Sequence, residues 1–104
     1  MANPYQGEVA LTIDGQVLTC KLTLGALADL EQALKSGSLM DLITRFDAQD
    51  FSASDILHVV TAGLRGGGWD GKVDDVRHAD IGGGPMAAAR AAAQLLTLAF
   101  QVPD

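Results

Sequence analysis

Hydrophobic and polar positions follow two different periods along this chain. From Glu8 to Ile13 they alternate, and Val9, Leu11 and Ile13 fall on one face, the pattern of a strand with one buried side. Asp14-Gly15 comes next and predicts a tight hairpin turn, because both central residues of a type I′ turn need positive φ. The return strand is QVLTCKL, residues 16–22. Such a turn places Leu11 opposite Leu18 and Val9 opposite Cys20 on the apolar face, with Glu8 opposite Lys21 on the other.

From residue 23 onward the period is helical. Thr23 can cap a helix, with Leu22 and Leu27 placed as a hydrophobic staple. Leu24, Leu27, Leu30 and Leu34 recur at helical spacing, Glu31 stands four positions before Lys35, and Gly37 supplies a stop. Ser38 with Asp41 starts a second helix, LMDLITRF, that buries Leu39, Leu42, Ile43 and Phe46; Asp is a weaker partner than Glu in such a capping box. Ser52 with Asp55 repeats the device for a third helix from about Ala53 to Leu64, with Phe51 placed to staple Ile56. Gly66, Gly67 and Gly68 stop it. Lys72 to Ala79 reads as a short polar helix carrying Val73 and Val76. Gly82, Gly83 and Gly84 form a second joint, Pro85 suits a first helical position, and a last helix runs to about Gln101, with Pro103 beyond. No repeat of fixed period occurs, and no linker separates two cores. The expectation is a single domain over residues 1–104, of α+β class and mainly α: a hairpin over 8–22 and a helical part over 23–101, with four or five helices. The two glycine triplets bracket a segment, 66–84, whose order the pattern leaves open.

Composition narrows the function classes. Among 104 residues, hydrophobic ones make up 48%, too many for a chain that stays disordered. Asp plus Glu number 13 against 7 Lys plus Arg, for a net charge of −6. That balance opposes nucleic-acid binding and docking on anionic membranes, both of which need clustered positive charge. Cys20 is the lone cysteine, so an intrachain disulfide and a thiolate metal cluster are excluded. The start MANPYQGEV has no basic stretch followed by an apolar run, and the expectation is a cytoplasmic protein.

The residues offer one nucleotide-like motif. GGGWDGKV, from Gly66, matches G-x-x-x-x-G-K of the phosphate-binding loops, but Val73 stands where a Ser or Thr would ligate magnesium. The preceding ILHVVTAGL is capped like a helix, where a phosphate loop needs a strand. The reading is therefore a helix stop, with no nucleotide or other cofactor. Trp69 reads first as a cap on a small core and, if exposed, as an interface anchor. His58 has Ser54 and Ala62 at helical spacing and no metal-compatible neighbour, and His78 lies twenty residues away. Asp74 and Asp75 diverge by about 100° on a helix and make a poor carboxylate pair. Serines 36, 38, 52 and 54 include two caps and no nucleophile elbow. Cys20 falls on the apolar strand face, as a small core residue. No catalytic set emerges, and the protein is expected not to be an enzyme.

The last helix carries the most information. In MAAARAAAQLLTLAFQ, residues Arg90, Gln94, Thr97 and Gln101 form one narrow polar stripe, and the remaining girth, including Met86, Leu95, Leu96, Leu98 and Phe100, is apolar. A surface helix of a small monomer has a wider polar face. This helix is either central to the core or shares its apolar girth with another chain. Gly25, Ala26, Ala28 and Ala33 give the first helix small faces of the same kind.

Three stretches carry a family likeness: GEVALTIDGQVLTCKLTLGALADLEQAL, the helix running into AGLRGGG, and GGGPMAAARAAAQLLTLAF. They resemble the short gene transfer agent proteins of alphaproteobacteria, encoded among phage-tail-type genes, over Gly7 to Phe100. That family is similar to phage tail assembly chaperones and is also labelled a tail tube component. A tube subunit forms rings through a many-stranded β-sandwich, whereas the pattern here supplies two strands. The resemblance therefore implies a non-enzymatic tail assembly chaperone that shields apolar helices of the tape measure protein, with grooves that hold amphipathic helices. The alternative is a structural tail component, a tube or connector subunit whose hairpin adds to a neighbour's sheet edge, with a homo-oligomer as a possible state. Partner contacts are expected among Leu24, Leu27, Leu30, Trp69 and the outer faces of Leu95 and Leu98, each of which also suits the core.

Overall fold

A computed structural model describes residues 2–34 and 38–100. After a 3-10 turn at Pro4–Gln6, β1 (Glu8–Ile13) and β2 (Gln16–Lys21) form an antiparallel hairpin, followed by α1 (Leu24–Ala33), α2 (Leu39–Asp47), α3 (Ala53–Gly66), α4 (Val73–Arg77) and α5 (Gly84–Ala99). This is the α+β, mainly α class that the pattern predicts. Asp14 and Gly15 both take positive φ, 51° and 79°. The strand register is the expected one, with Leu11 opposite Leu18, Val9 opposite Cys20 and Glu8 opposite Lys21.

The helix starts follow their capping residues. Thr23 Oγ1 accepts the Ala26 N–H at 3.1 Å, and Ser38–Asp41 and Ser52–Asp55 both close complete capping boxes. Asp therefore suffices as the reciprocal partner in both. Pro85 occupies the second position of α5, because the helix already begins at Gly84. The expected Glu31–Lys35 pair, the Gly37 stop, Ser36, Gln101 and Pro103 all involve residues outside the described ones.

The end of α2 carries no glycine. It closes in a Schellman arrangement: the Asp50 N–H bonds to the Arg45 carbonyl at 2.8 Å and the Gln49 N–H to Phe46 at 3.1 Å. Gln49 supplies the left-handed residue, with φ 56°, a conformation that costs a non-glycine residue about 1–2 kcal/mol. Phe51 stacks on Phe46 with ring centroids 4.6 Å apart.

Helix α3 lies at the centre and packs on β2, α5, α1 and α4. Its last residues explain the first glycine triplet. A Cβ on Gly66 would collide with the Lys21 carbonyl oxygen, and one on Gly67 with the Thr19 carbonyl oxygen. Gly63, one turn earlier on the same face, admits the Leu95 side chain: a Cβ there would lie 2.6 Å from Leu95 Cδ1. The helix thus presents a bare backbone edge to β2 and α5. Gly68, with φ 106°, then ends α3 in a second Schellman arrangement, the Trp69 N–H bonding to Leu64 at 3.0 Å.

The segment after α4 is fastened to the hairpin. The Asp14 N–H donates to the Asp80 carbonyl at 2.8 Å, and the Asp80 N–H donates to Asp14 Oδ1 at 2.8 Å. The Gly82 N–H donates to the Thr12 carbonyl at 2.9 Å, and Ile13 pairs with Ile81 as a one-residue bridge. Gly82 is needed there because a Cβ would sit 2.8 Å from Thr12 Cβ. Buried residues from both strands and all five helices form one cluster, in which Cys20, Leu42, Val59, Leu64 and Ala92 are fully enclosed.

Candidate partner-binding surfaces

The expected contact residues lie at three depths. Leu30 and Leu95 are each 1% exposed and belong to the core. Leu27, Trp69 and Leu98 are half-buried at its margin. Leu24, at the first position of α1, is 84% exposed. Leu24 and the margin residues therefore carry whatever surface this set offers. Met40 and Met86 are also largely exposed.

GGGWDGKV lacks the geometry of a phosphate cradle. Helix α3 precedes it where a strand is required, and the helix after it has five residues. The Trp69 indole folds onto Gly71, in the space a Cβ would need. Asp75 Oδ2 accepts the Lys72 N–H at 2.8 Å, so an acid holds the position where a phosphate would sit in a nucleotide site.

Asp55 has a structural partner. The Asp55 carboxylate takes two bonds of 2.9 Å from Arg45 Nε and Nη2 and one of 3.0 Å from the Ser52 N–H. Burial pushes this carboxyl up, but the bonds from Arg45 and Ser52 outweigh it and hold Asp55 below the usual carboxylate range. The bidentate pair ties the end of α2 to the start of α3. Burial alone raises the Cys20 thiol to about 12, which removes it as a nucleophile at neutral pH. His58 Nδ1 lies 3.4 Å from Ser54 Oγ, and His78 Nδ1 lies 3.0 Å from the Asp74 carbonyl. Among the described residues no group of His, Cys, Asp and Glu is arranged to hold a metal ion, and no helix is long and apolar enough to cross a membrane.

Several depressions mark the surface of the described residues, and three of them bear on partner binding. A charged one of about 690 Å³ surrounds the Arg45–Asp55 pair, with His58 and Arg77 on its walls. A cleft of about 510 Å³ lies between the first half of α3, α4 and the start of α5, with Ile56, Leu57, Val60 and Ile81 as its apolar lining and Arg77 and Asp80 at its edge. A groove of about 430 Å³ separates α2 from α5. Helix α2 gives it Ile43, Phe46 and Asp47; α5 gives it Ala93, Leu96 and Thr97, and Phe100, which caps α5, completes it. The sequence reading assigned Ile43 and Phe46 wholly to the core. Its available signal was the width of the apolar stripe on α2, where Met40 extends the face that Ile43 shares.

Compared with known proteins, residues 6–102 match a family model described as phage tail tube protein, GTA-gp10. Neither the curated proteins nor the solved structures give a match.

Proposed function

Because this chain belongs to the phage tail tube protein, GTA-gp10 family, we propose that it acts in the cytoplasm as a non-enzymatic tail assembly chaperone of a gene transfer agent or phage-like particle. It shields apolar helices of the tape measure protein until tube subunits enclose them, without nucleotide, nucleic acid or membrane. The observation that carries this reading is the sheet. A tube ring built by edge-to-edge sheet pairing needs open strand edges, and the one described sheet has two strands. Its β1 edge is engaged by Gly82 at Thr12 and by Asn3, which accepts the Glu8 N–H. Its β2 edge has α3 pressed against the Thr19 and Lys21 carbonyls. Apolar side chains exposed on a strongly acidic chain suit a soluble holder of amphipathic helices.

The second reading is a structural tail component, a tube or connector subunit, and the family's own description names a tail tube protein. Contacts between copies would then run through helix surfaces such as Leu24 and Leu98. Mass spectrometry of purified particles beside the lysate of producing cells separates the two. A chaperone is abundant in lysate and missing from particles, and a pull-down then recovers the tape measure protein. Presence in particles at a fixed ratio refutes the chaperone role and selects the structural one.

A further inference from the structure

Resting on the chaperone reading, we propose that the α2–α5 groove is the helix-holding site and that its occupant is a partner helix whose apolar stripe is flanked by Lys or Arg. The floor is apolar and close: Phe46 and Leu96 are buried beneath it, and Ala93 lets a backbone approach. Ile43 and Phe100 form its walls, Phe100 being 40% exposed. Met40 stands three positions before Ile43 on the same face of α2 and is 65% exposed. A flexible thioether at that place adapts to varied apolar side chains.

Charge selects the occupant. Asp47 lines the groove. The last turns of both helices, α2 ending at Asp47 and α5 at Ala99, contribute to its lining, so the negative ends of two helix dipoles border it. Among the described residues no Lys or Arg lines it. The one cation of α2, Arg45, is bound to Asp55 beside the charged depression, away from the groove. A helix with acidic flanks would meet repulsion here, and one with basic flanks meets a carboxylate and two dipole ends. The cleft beside α4 gives no such preference, since Arg77 and Asp80 share its edge.

The test uses the whole chain and two synthetic helical peptides with the same leucine stripe, one with Lys and one with Glu on the polar face, measured by calorimetry at low salt. The Lys peptide is expected to bind at least about tenfold more tightly, and Asp47→Lys to erase that preference by weakening it about tenfold. Ala93→Arg should block both peptides, and Glu31→Lys, the same change of charge at an exposed position of α1 outside the groove, should leave the preference unchanged. Equal binding of the two peptides, or a preference that survives Asp47→Lys, overturns the proposal. A dimer of the native protein that Ala93→Arg dissociates also overturns it, by giving the groove to a second copy. The two readings fail separately. Peptides that behave as expected alongside stoichiometric presence in particles sink the chaperone role and leave the groove. Absence from particles with an unchanged preference in Asp47→Lys does the reverse.

Discussion

The substitution Gly66→Ala isolates the contact between α3 and β2. In an exposed helix, Gly to Ala is stabilising by up to about 1 kcal/mol. Position 66 is the last residue of α3, where that gain is smaller. The new Cβ would collide with the Lys21 carbonyl oxygen and lie 3.1 Å from Ala26 Cβ. The obstacle is strand backbone paired in the hairpin, which has no rotamer to escape into. Overpacking of this kind costs about 1–3 kcal/mol, and rigid backbone puts Gly66→Ala at the upper end. After the propensity gain, the net loss is about 2 kcal/mol, or a fall in Tm of about 8–16 °C for a domain of this size. Gly25→Ala is the internal control. It lies in the first turn of α1, with the nearest atom, Thr23 Oγ1, 4.0 Å from the added methyl. The same chemical change there should be neutral or stabilising, by up to about 1 kcal/mol. Thermal and urea unfolding followed by circular dichroism reads both. A Gly66→Ala protein that melts at or above the native temperature would refute the packing account of AGLRGGG and return the triplet to a simple helix stop.

Three further outcomes follow from the geometry. Gln49→Gly relieves the left-handed cap of α2 and should raise the urea midpoint by about 0.5–1 kcal/mol of stability with an unchanged slope; no rise would mean that the cap is unstrained. Asp55→Ala removes the Arg45 pair and a capping partner, and should cost about 2 kcal/mol at pH 7. Because the folded Asp55 carboxyl is held below its unfolded value of about 3.9, its contribution is complete above that pH and is lost as pH falls through the folded value. The gap between native and Asp55→Ala should therefore close in acid; a gap that persists there would show that the charge is not the cause. Cys20, buried and raised to about 12, should resist iodoacetamide at pH 8 in the folded protein and react promptly in denaturant, and equal rates in both states would contradict its burial.

Much of the local structure was legible from spacing. The Asp14-Gly15 turn set the strand register, because a two-residue loop leaves one pairing that keeps Val9, Leu11 and Cys20 together. Thr23, Ser38 and Ser52 marked helix starts, because a cap and the donors it satisfies lie within three residues of each other. The end of α2 escaped notice, since Gln49 takes a backbone conformation usually signalled by Gly or Asn. Burial was only partly legible. Leu24, Leu27 and Leu30 look alike along α1, yet they run from exposed to fully enclosed, because α3 covers only part of that helix.

The sequence by itself determined the elements, their order and the hairpin register, since each depends on residues within a turn or two of one another. Tertiary structure decided the rest. Gly63, Gly66 and Gly67 became the bare edge on which β2 and Leu95 rest, Asp14 reached 66 positions along the chain to Asp80, and the last turns of α2 and α5 came to line one apolar groove that also holds Asp47. Each of these depends on which distant backbone arrives at a given face, and no spacing along the chain encodes that meeting.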